Sequence, residues 1–241
     1  MKKNIQRANE RGTANHGWLK ANFSFSFANY YNPKKVSFGA LRVLNDDTIE
    51  PAMGFGKHPH DNMEIITIPL EGALKHRDSM SDTWITLETG EVQIMSAGSG
   101  LMHSEMNNST TEHLNLFQIW IVPNRNEVTP RYDQKRFDTS ARKNKLQMLV
   151  SSIDKNEANE SLKIHQDAQI SRIDLSENTD FNYQLKSENH GVFVMVISGE
   201  IATDNEVLTK RDTVEISQTK TINLKAKNNS ELLFIEVPML F

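Results

Sequence analysis

The chain has 241 residues, 37% of them hydrophobic and 24% charged, with a formal net charge of -4 and no cysteine. That balance supplies a core, argues against global disorder, and gives no general attraction to a polyanion. It also excludes disulfides, a thiolate nucleophile, iron–sulfur clusters and cysteine-based zinc sites, so any metal must be held by imidazole and carboxylate.

The first residues carry two lysines with no apolar run behind them, so no secretory signal is readable. No apolar stretch approaches the roughly 20 residues of a membrane span. A cytoplasmic protein with no membrane contact is the expectation. Phe23, Phe25 and Phe27 alternate along an early segment and are followed by Tyr30 and Tyr31. One reading packs a face into a core; the other has Phe27 or Tyr30 walling a pocket for a flat ligand.

Short β-type runs then recur. Ile65–Ile68 precedes the turn Glu71-Gly72, Trp84–Leu87 precedes Thr89-Gly90, and Val92–Met95 precedes Ala97-Gly98-Ser99-Gly100. A longer apolar strand from Leu114 to Val122 stops at Pro123. Runs spaced about eight to twelve residues apart with glycine between them predict an all-β sandwich or barrel. The polar stretch from Val128 to Asn144 reads as a link, after which Leu146–Val150 restarts strand patterning. The domains expected are residues 1–135 and 145–241. The one helical turn expected lies near Asn156 to Ser161.

The second half echoes the first. Ile65–Gly72 aligns with Val192–Gly199, and Leu87, Gly90 and Glu91 with Leu208, Arg211 and Asp212. Leu116–Pro123 aligns with Leu232–Pro238 once one residue drops out. Two similar sandwiches are implied. Carried back at equal spacing, the alignment sets His58 and His60 opposite Leu185 and Ser187, Glu64 opposite Gly191, and His103 opposite the segment Lys220 to Asn223. One metal per chain, held in the first half, is therefore expected. His165 and His190 are single and read as surface or packing residues, and His76 and His113 have no partner pattern.

His58 and His60 are two apart, so on a strand both imidazoles project from one face. Pro59 between them places the stretch at an edge, a bulge or a strand end. His103 and Glu105, beyond the glycine-rich turn, repeat the same spacing. Three imidazoles and one carboxylate leave open positions on a five- or six-coordinate ion and suit Fe, Mn, Ni, Cu or Zn. Iron is the first expectation.

The arrangement resembles the cupin superfamily, whose first motif runs G(X)5HXH(X)3-4E(X)6G. Here His58, His60, Glu64 and Gly72 match, with one extra residue before the last glycine. The second motif, G(X)5PXG(X)2H(X)3N, is met by Gly100, His103 and Asn107. Gly98 stands in place of its proline, and Gly90 lies two residues upstream of the expected leading glycine. More narrowly the chain resembles bacterial pirins of the quercetin-dioxygenase type. The resemblance rests on Ala8–Gly12, His16–Leu19, Phe25–Tyr31, Phe55–His60, Gln93–Gly98, His103–Glu105, Gln118–Trp120 and Thr129–Tyr132, within about the first 140 residues.

That resemblance implies a bicupin, two antiparallel β-sandwich or jelly-roll domains, with a metal held by His58, His60, His103 and Glu105. Glu64 is the carboxylate a standard cupin would use; in pirins the ligand role passes to the residue matching Glu105. It implies a dioxygenase that opens the flavonol quercetin with O2 and releases carbon monoxide, acting on a small aromatic substrate. With no heptad and no obvious dimer strand in the sequence, a monomer is expected. Glu105 is the candidate base and Glu64 the runner-up. The alternative is a non-enzymatic, metal-sensing pirin that binds a transcription-related or metabolic protein partner. The basic residues around the link, among them Arg131, Lys135 and Arg136, read as a solvated surface, with no direct nucleic-acid contact expected.

Overall fold

Several strands of this chain are apolar on both faces. Ile65 to Ile68 in the strand Glu64–Glu71, and Val192 to Ile197 in His190–Ser198, are all buried. A strand without alternation must be covered on both sides. In the computed structural model, which describes residues 1–155 and 160–240, the covering is a stack of four sheets. The helical turn expected near Asn156 falls mostly outside the described residues.

The first large sheet has seven strands, in the order Arg131–Arg136, Glu91–Ser96, Glu64–Glu71, Leu114–Ile121, Leu41–Ile49, Leu19–Phe23 and Gly12–Asn15. A four-stranded sheet of Gly54–His60, Leu101–Asn107, Ala73–Asp78 and Ile85–Glu88 accompanies it. The second half repeats this plan. Its large sheet centres on Thr213–Ser217, His190–Ser198, Ser230–Pro238 and Gln169–Leu175, and its small sheet joins Asp180–Gln184, Thr221–Ala226, Glu200–Thr203 and Glu206–Thr209. No helix among the described residues is long and apolar enough to cross a membrane.

The two large sheets pack face to face. Leu44, Ile66, Phe117 and Ile119 of the first meet Ile170, Phe193, Met195 and Ile235 of the second in one apolar cluster, and Phe25 lies 5.8 Å from Phe193, ring centre to ring centre. The halves therefore share a core. Arg211 ties the same interface from the side. Its Nε donates to Asp46 at 2.8 Å, its Nη2 to Asn115 at 3.0 Å, and its guanidinium lies over Phe117. Arg211 occupies the turn position of Gly90, and both have positive φ, 69° and 90°. The strain of a side chain there, about 1 kcal/mol or more, is offset by the ion pair it makes.

Two features differ from the sequence reading. The polar stretch after Val128 contains a strand, Arg131–Arg136, paired along its length with Glu91–Ser96; it is polar because it is a partly exposed sheet edge. The segment Lys2–Gln6, at the start of the first half, pairs with Thr213–Ser217 and belongs to the second large sheet. Because the shared layer makes the halves cooperative, Phe193→Ala should cost about 3–5 kcal/mol. Urea unfolding followed by near- and far-UV circular dichroism should still show one coincident transition. Two separate transitions would mean that the halves unfold independently.

Candidate metal centre

Three strands of the first small sheet deliver the site. His103 lies opposite His58 and also opposite Asp78, and Glu105 lies opposite His76. Between His103 and Glu105 the register against Gly54–His60 slips: two steps on one strand face three on the other, from His58 to Phe55. This bulge bends the strand and re-aims His58. Close approach at that point requires Gly54, since a Cβ there would sit 2.1 Å from the Glu105 carbonyl oxygen.

The result is convergence. The ring centres of His58, His60 and His103 lie 4.3 to 4.9 Å from one another, and one ligand atom from each falls within 4.8 Å of the others. Both ring nitrogens of His103 and Oε1 of Glu105 are buried with no hydrogen-bond partner. Buried polar atoms are seldom left so, and a divalent ion at this point would satisfy one His103 nitrogen together with Glu105 Oε1. His58 Nδ1 donates to the Gly56 carbonyl at 2.7 Å, which leaves Nε2 free to ligate. Burial, aided by the neighbouring histidines, pushes His60 down to about 4 and His103 down to about 3. Both are therefore neutral at pH 7 with lone pairs available. The residues present fit a metal.

Glu105 is held from behind. Gln118 Nε2 donates to its Oε2 at 3.0 Å, and Thr67 Oγ1 donates to Gln118 Oε1 at 3.0 Å, fixing which way the amide faces. A second group of convergent donors joins His76, His103 and Glu105, all buried. His76 Nε2 bonds Asp78 Oδ2 at 3.0 Å, while its Nδ1 has no partner. A carboxylate behind an imidazole is the usual support of a ligating histidine. Sequence reading found no partner for His76, because Asp78 has meaning only once His103 and Glu105 lie on the adjacent strand.

Glu64 is elsewhere. Ile65 lines the metal pocket, and Glu64, its neighbour on the strand, faces the other way. There it accepts from Ser96 Oγ at 2.7 Å and from the His165 backbone N–H. The geometry takes Glu64 out of reach of both metal and substrate, so the runner-up base is corrected: a one-residue step along a strand inverts the face. Burial pushes its carboxyl up to about 7.

A cavity of about 640 Å³ opens over the imidazoles, walled by Trp18, Phe23, Phe27, Phe55 and Trp120, with His16 and Lys57 also lining it. Phe27 is thus a wall. Phe25 packs into the shared core, and Tyr30 stacks behind Phe23. Asn45, Asp47 and Gln118 add polar groups to the lining. Burial, with Asp46 and Glu105 nearby, pushes Asp47 up to about 8.

The second half shows the same positions without the chemistry. The strand pairings set Tyr183 and Leu185 opposite His58 and His60, Ile222 opposite His103, and Leu224 opposite Glu105. All four belong to one apolar cluster. The equal-spacing alignment, which set Leu185 and Ser187 against the two histidines, is off by two. The connection from Leu185 to Gly191 is two residues longer than that from His60 to Glu64. Among the described residues, both groups of convergent ligand atoms lie in the first half.

A family model described as Pirin matches residues 4–121, and one described as quercetinase C-terminal cupin domain matches residues 149–237. The chain belongs to the pirin family. It is 44% identical over 234 residues, 97% of this chain and 98% of the other, to a protein of Escherichia coli strain K12 named quercetin 2,3-dioxygenase. It is 40% identical, over 93% of each chain, to a putative quercetin 2,3-dioxygenase of Zymomonas mobilis. The crystal structure of bacterial pirin YhhW from E. coli in complex with nickel(II) superposes with a TM-score of 0.91 at 41% identity, covering 98% of this chain and 99% of that one. The bicupin expectation holds: the chain has the two-domain, cupin-type structure of a pirin.

Two outcomes follow from this geometry. In competition with a chelator, Gln118→Ala should weaken metal retention about 10–100-fold, the usual cost of losing an outer hydrogen bond. His103→Ala, which removes the donor common to both groups, should cost more; equal losses would mean that His103 is not the shared ligand. For Glu64, the folded state holds a proton that the unfolded chain releases near its ordinary value of about 4.5. Stability therefore falls as pH rises from there to about 7. Glu64→Gln should melt higher than wild type at pH 8, match it at pH 5, and retain its metal. A drop in metal content would return Glu64 to the ligand set.

Proposed function

We propose that this chain is a metal-dependent dioxygenase that opens a flavonol of the quercetin type with O2. The observation that carries this reading is the convergence of three imidazoles, with the Glu105 carboxyl beside them, inside a cavity with aromatic walls. A flat polycyclic ligand suits such walls, and about 640 Å³ lies within the usual range for a small-molecule site. The names of the E. coli and Zymomonas relatives support the same substrate class.

One divalent ion would be held by His58, His60, His103 and Glu105. As a Lewis acid it would lower the pKa of a bound hydroxyl and provide the centre for oxygen chemistry. Its identity follows from supply as much as from ligands. The donor set suits Fe, Mn, Ni, Cu or Zn, iron is the first expectation, and the crystal structure of the E. coli pirin YhhW is a complex with nickel(II).

The protein's own residues do the rest. Trp18, Phe27 and Phe55 hold the ring system flat and exclude water. Glu105, as both weak ligand and base, takes the proton of the 3-hydroxyl through Oε1, while Gln118 holds Oε2. The substrate is left as the oxyanion, the electron-rich form that reacts with O2, and the products are the ring-opened ester and carbon monoxide. A single chain suffices, because every residue invoked lies within it.

Metal-free protein reloaded separately with Fe(II), Mn(II), Ni(II), Cu(II) and Zn(II) should consume O2 with quercetin for at least one ion. That uptake should vanish in Glu105→Gln. No uptake with any ion, while one equivalent of metal still binds, would overturn the reading.

A further inference from the structure

The metal ligands and Glu105 do not account for all the polar groups inside the cavity. Asn45 and Asp47 also line it, both from the strand Leu41–Ile49, where a spacing of two sends them to the same face. Asn45 is 3% exposed and Asp47 4%, and Oδ1 of each is buried with no hydrogen-bond partner. Two acceptors are thus sunk in the pocket floor, about 7 Å apart along the strand, with nothing in the protein to donate to them.

The fold does not need Asp47. The pairings set Asp47 opposite Leu116 and Ile173 opposite Leu232, and Leu116 and Leu232 are equivalent in the two halves. Ile173 therefore occupies the position of Asp47, fully buried in the second half's apolar core. By the same pairings Phe234 replaces Gln118, which holds Glu105. Where the architecture carries no site, it takes an aliphatic residue in place of Asp47. Burying a carboxyl group without a partner is unfavourable, whereas burying an isoleucine there is favourable, so Asp47 serves a ligand rather than the scaffold.

We propose that Asn45 and Asp47 form a hydroxyl-reading subsite at the floor of the pocket, which selects polyhydroxylated aromatics over aromatics bearing only the metal-directed hydroxyl. The proposal rests on the flavonol reading of the site and adds a determinant to it. Glu105 and the metal ligands engage one hydroxyl; Asn45, paired opposite Gln118, and Asp47 on the same strand face accept hydrogen bonds from further hydroxyls of the ring system. A site built to pair with a hydroxyl rejects an analogue that lacks it more strongly than an apolar wall can, because the acceptors are then left buried and unpaired.

The test is calorimetric binding to zinc-loaded protein without O2, so that no turnover intervenes. Two ligands are compared: quercetin, and 3-hydroxyflavone, which keeps only the 3-hydroxyl. Wild type should bind quercetin about 10–100-fold more tightly, the worth of hydrogen bonds to a charged or buried acceptor. Asp47→Ile, the residue the second half uses, should lose most of that preference while holding 3-hydroxyflavone at least as well and keeping one equivalent of zinc. Asp47→Asn, which retains an Oδ1 acceptor, should recover part of it. Equal affinities for the two ligands in wild type, or an unchanged ratio in Asp47→Ile, would overturn the subsite and leave the flavonol reading intact. Failure of wild type to bind either ligand with zinc in place would overturn the flavonol reading and the subsite with it.

Discussion

The packing of two seven-stranded sheets against each other is the interaction on which the rest of this protein depends. Once alternate residues of Glu64–Glu71 and Leu114–Ile121 are committed to that shared layer, their neighbours must face the small sheet. Phe117 and Ile119 fix the sheet; Gln118 and Trp120 are thereby aimed at the metal pocket. Asp46 and Asp47 divide in the same way. Asp46 meets Arg211 across the interface, and Asp47 meets the cavity. The site is accurate because its supports are sheet residues whose other face is locked.

The two halves form an internal comparison of an occupied and a filled sandwich. In the second half the space between sheets is one continuous apolar cluster from Ile173 to Phe234. In the first half that space is divided into two smaller clusters, one around Phe23 and Leu116 and one around Ile65 and Met95, with the pocket between them. The first half forgoes hydrophobic burial at the imidazole positions and at Glu105, Gln118 and Asp47. Part of that loss is made good by the shared layer, which carries no site and is apolar almost throughout.

How much of this could be read beforehand depends on the range of the signal. His58, His60, His103 and Glu105 were legible because period-2 spacing needs only a strand, and both segments were visibly strands. The fold class was legible from the glycine-punctuated runs. Glu64 was misplaced because a motif gives positions along the chain, whereas function depends on which face a strand turns inward. His76 and Asp47 gave no signal, and Gln118 only its place in a stretch that carries the resemblance, since each is a lone polar residue whose partners lie on other strands. The edge strand Arg131–Arg136 resembled a linker for a related reason: a strand exposed at an edge loses the apolar pattern that identifies strands.

The pairing of Lys2–Gln6 with Thr213–Ser217 imposes an order on synthesis and folding. The strand Lys2–Gln6 leaves the ribosome well before its partner, which lies more than 200 residues further along. Until that partner is made, the leading segment has no sheet to join, and closing so long a loop is slow. The second large sheet thus acquires one border from a distant part of the chain. A cut at residue 137 would leave the upstream fragment with an orphaned strand and the downstream fragment with an open edge on Thr213–Ser217, the kind of edge that recruits other chains. The halves are alike in plan, but they are completed together.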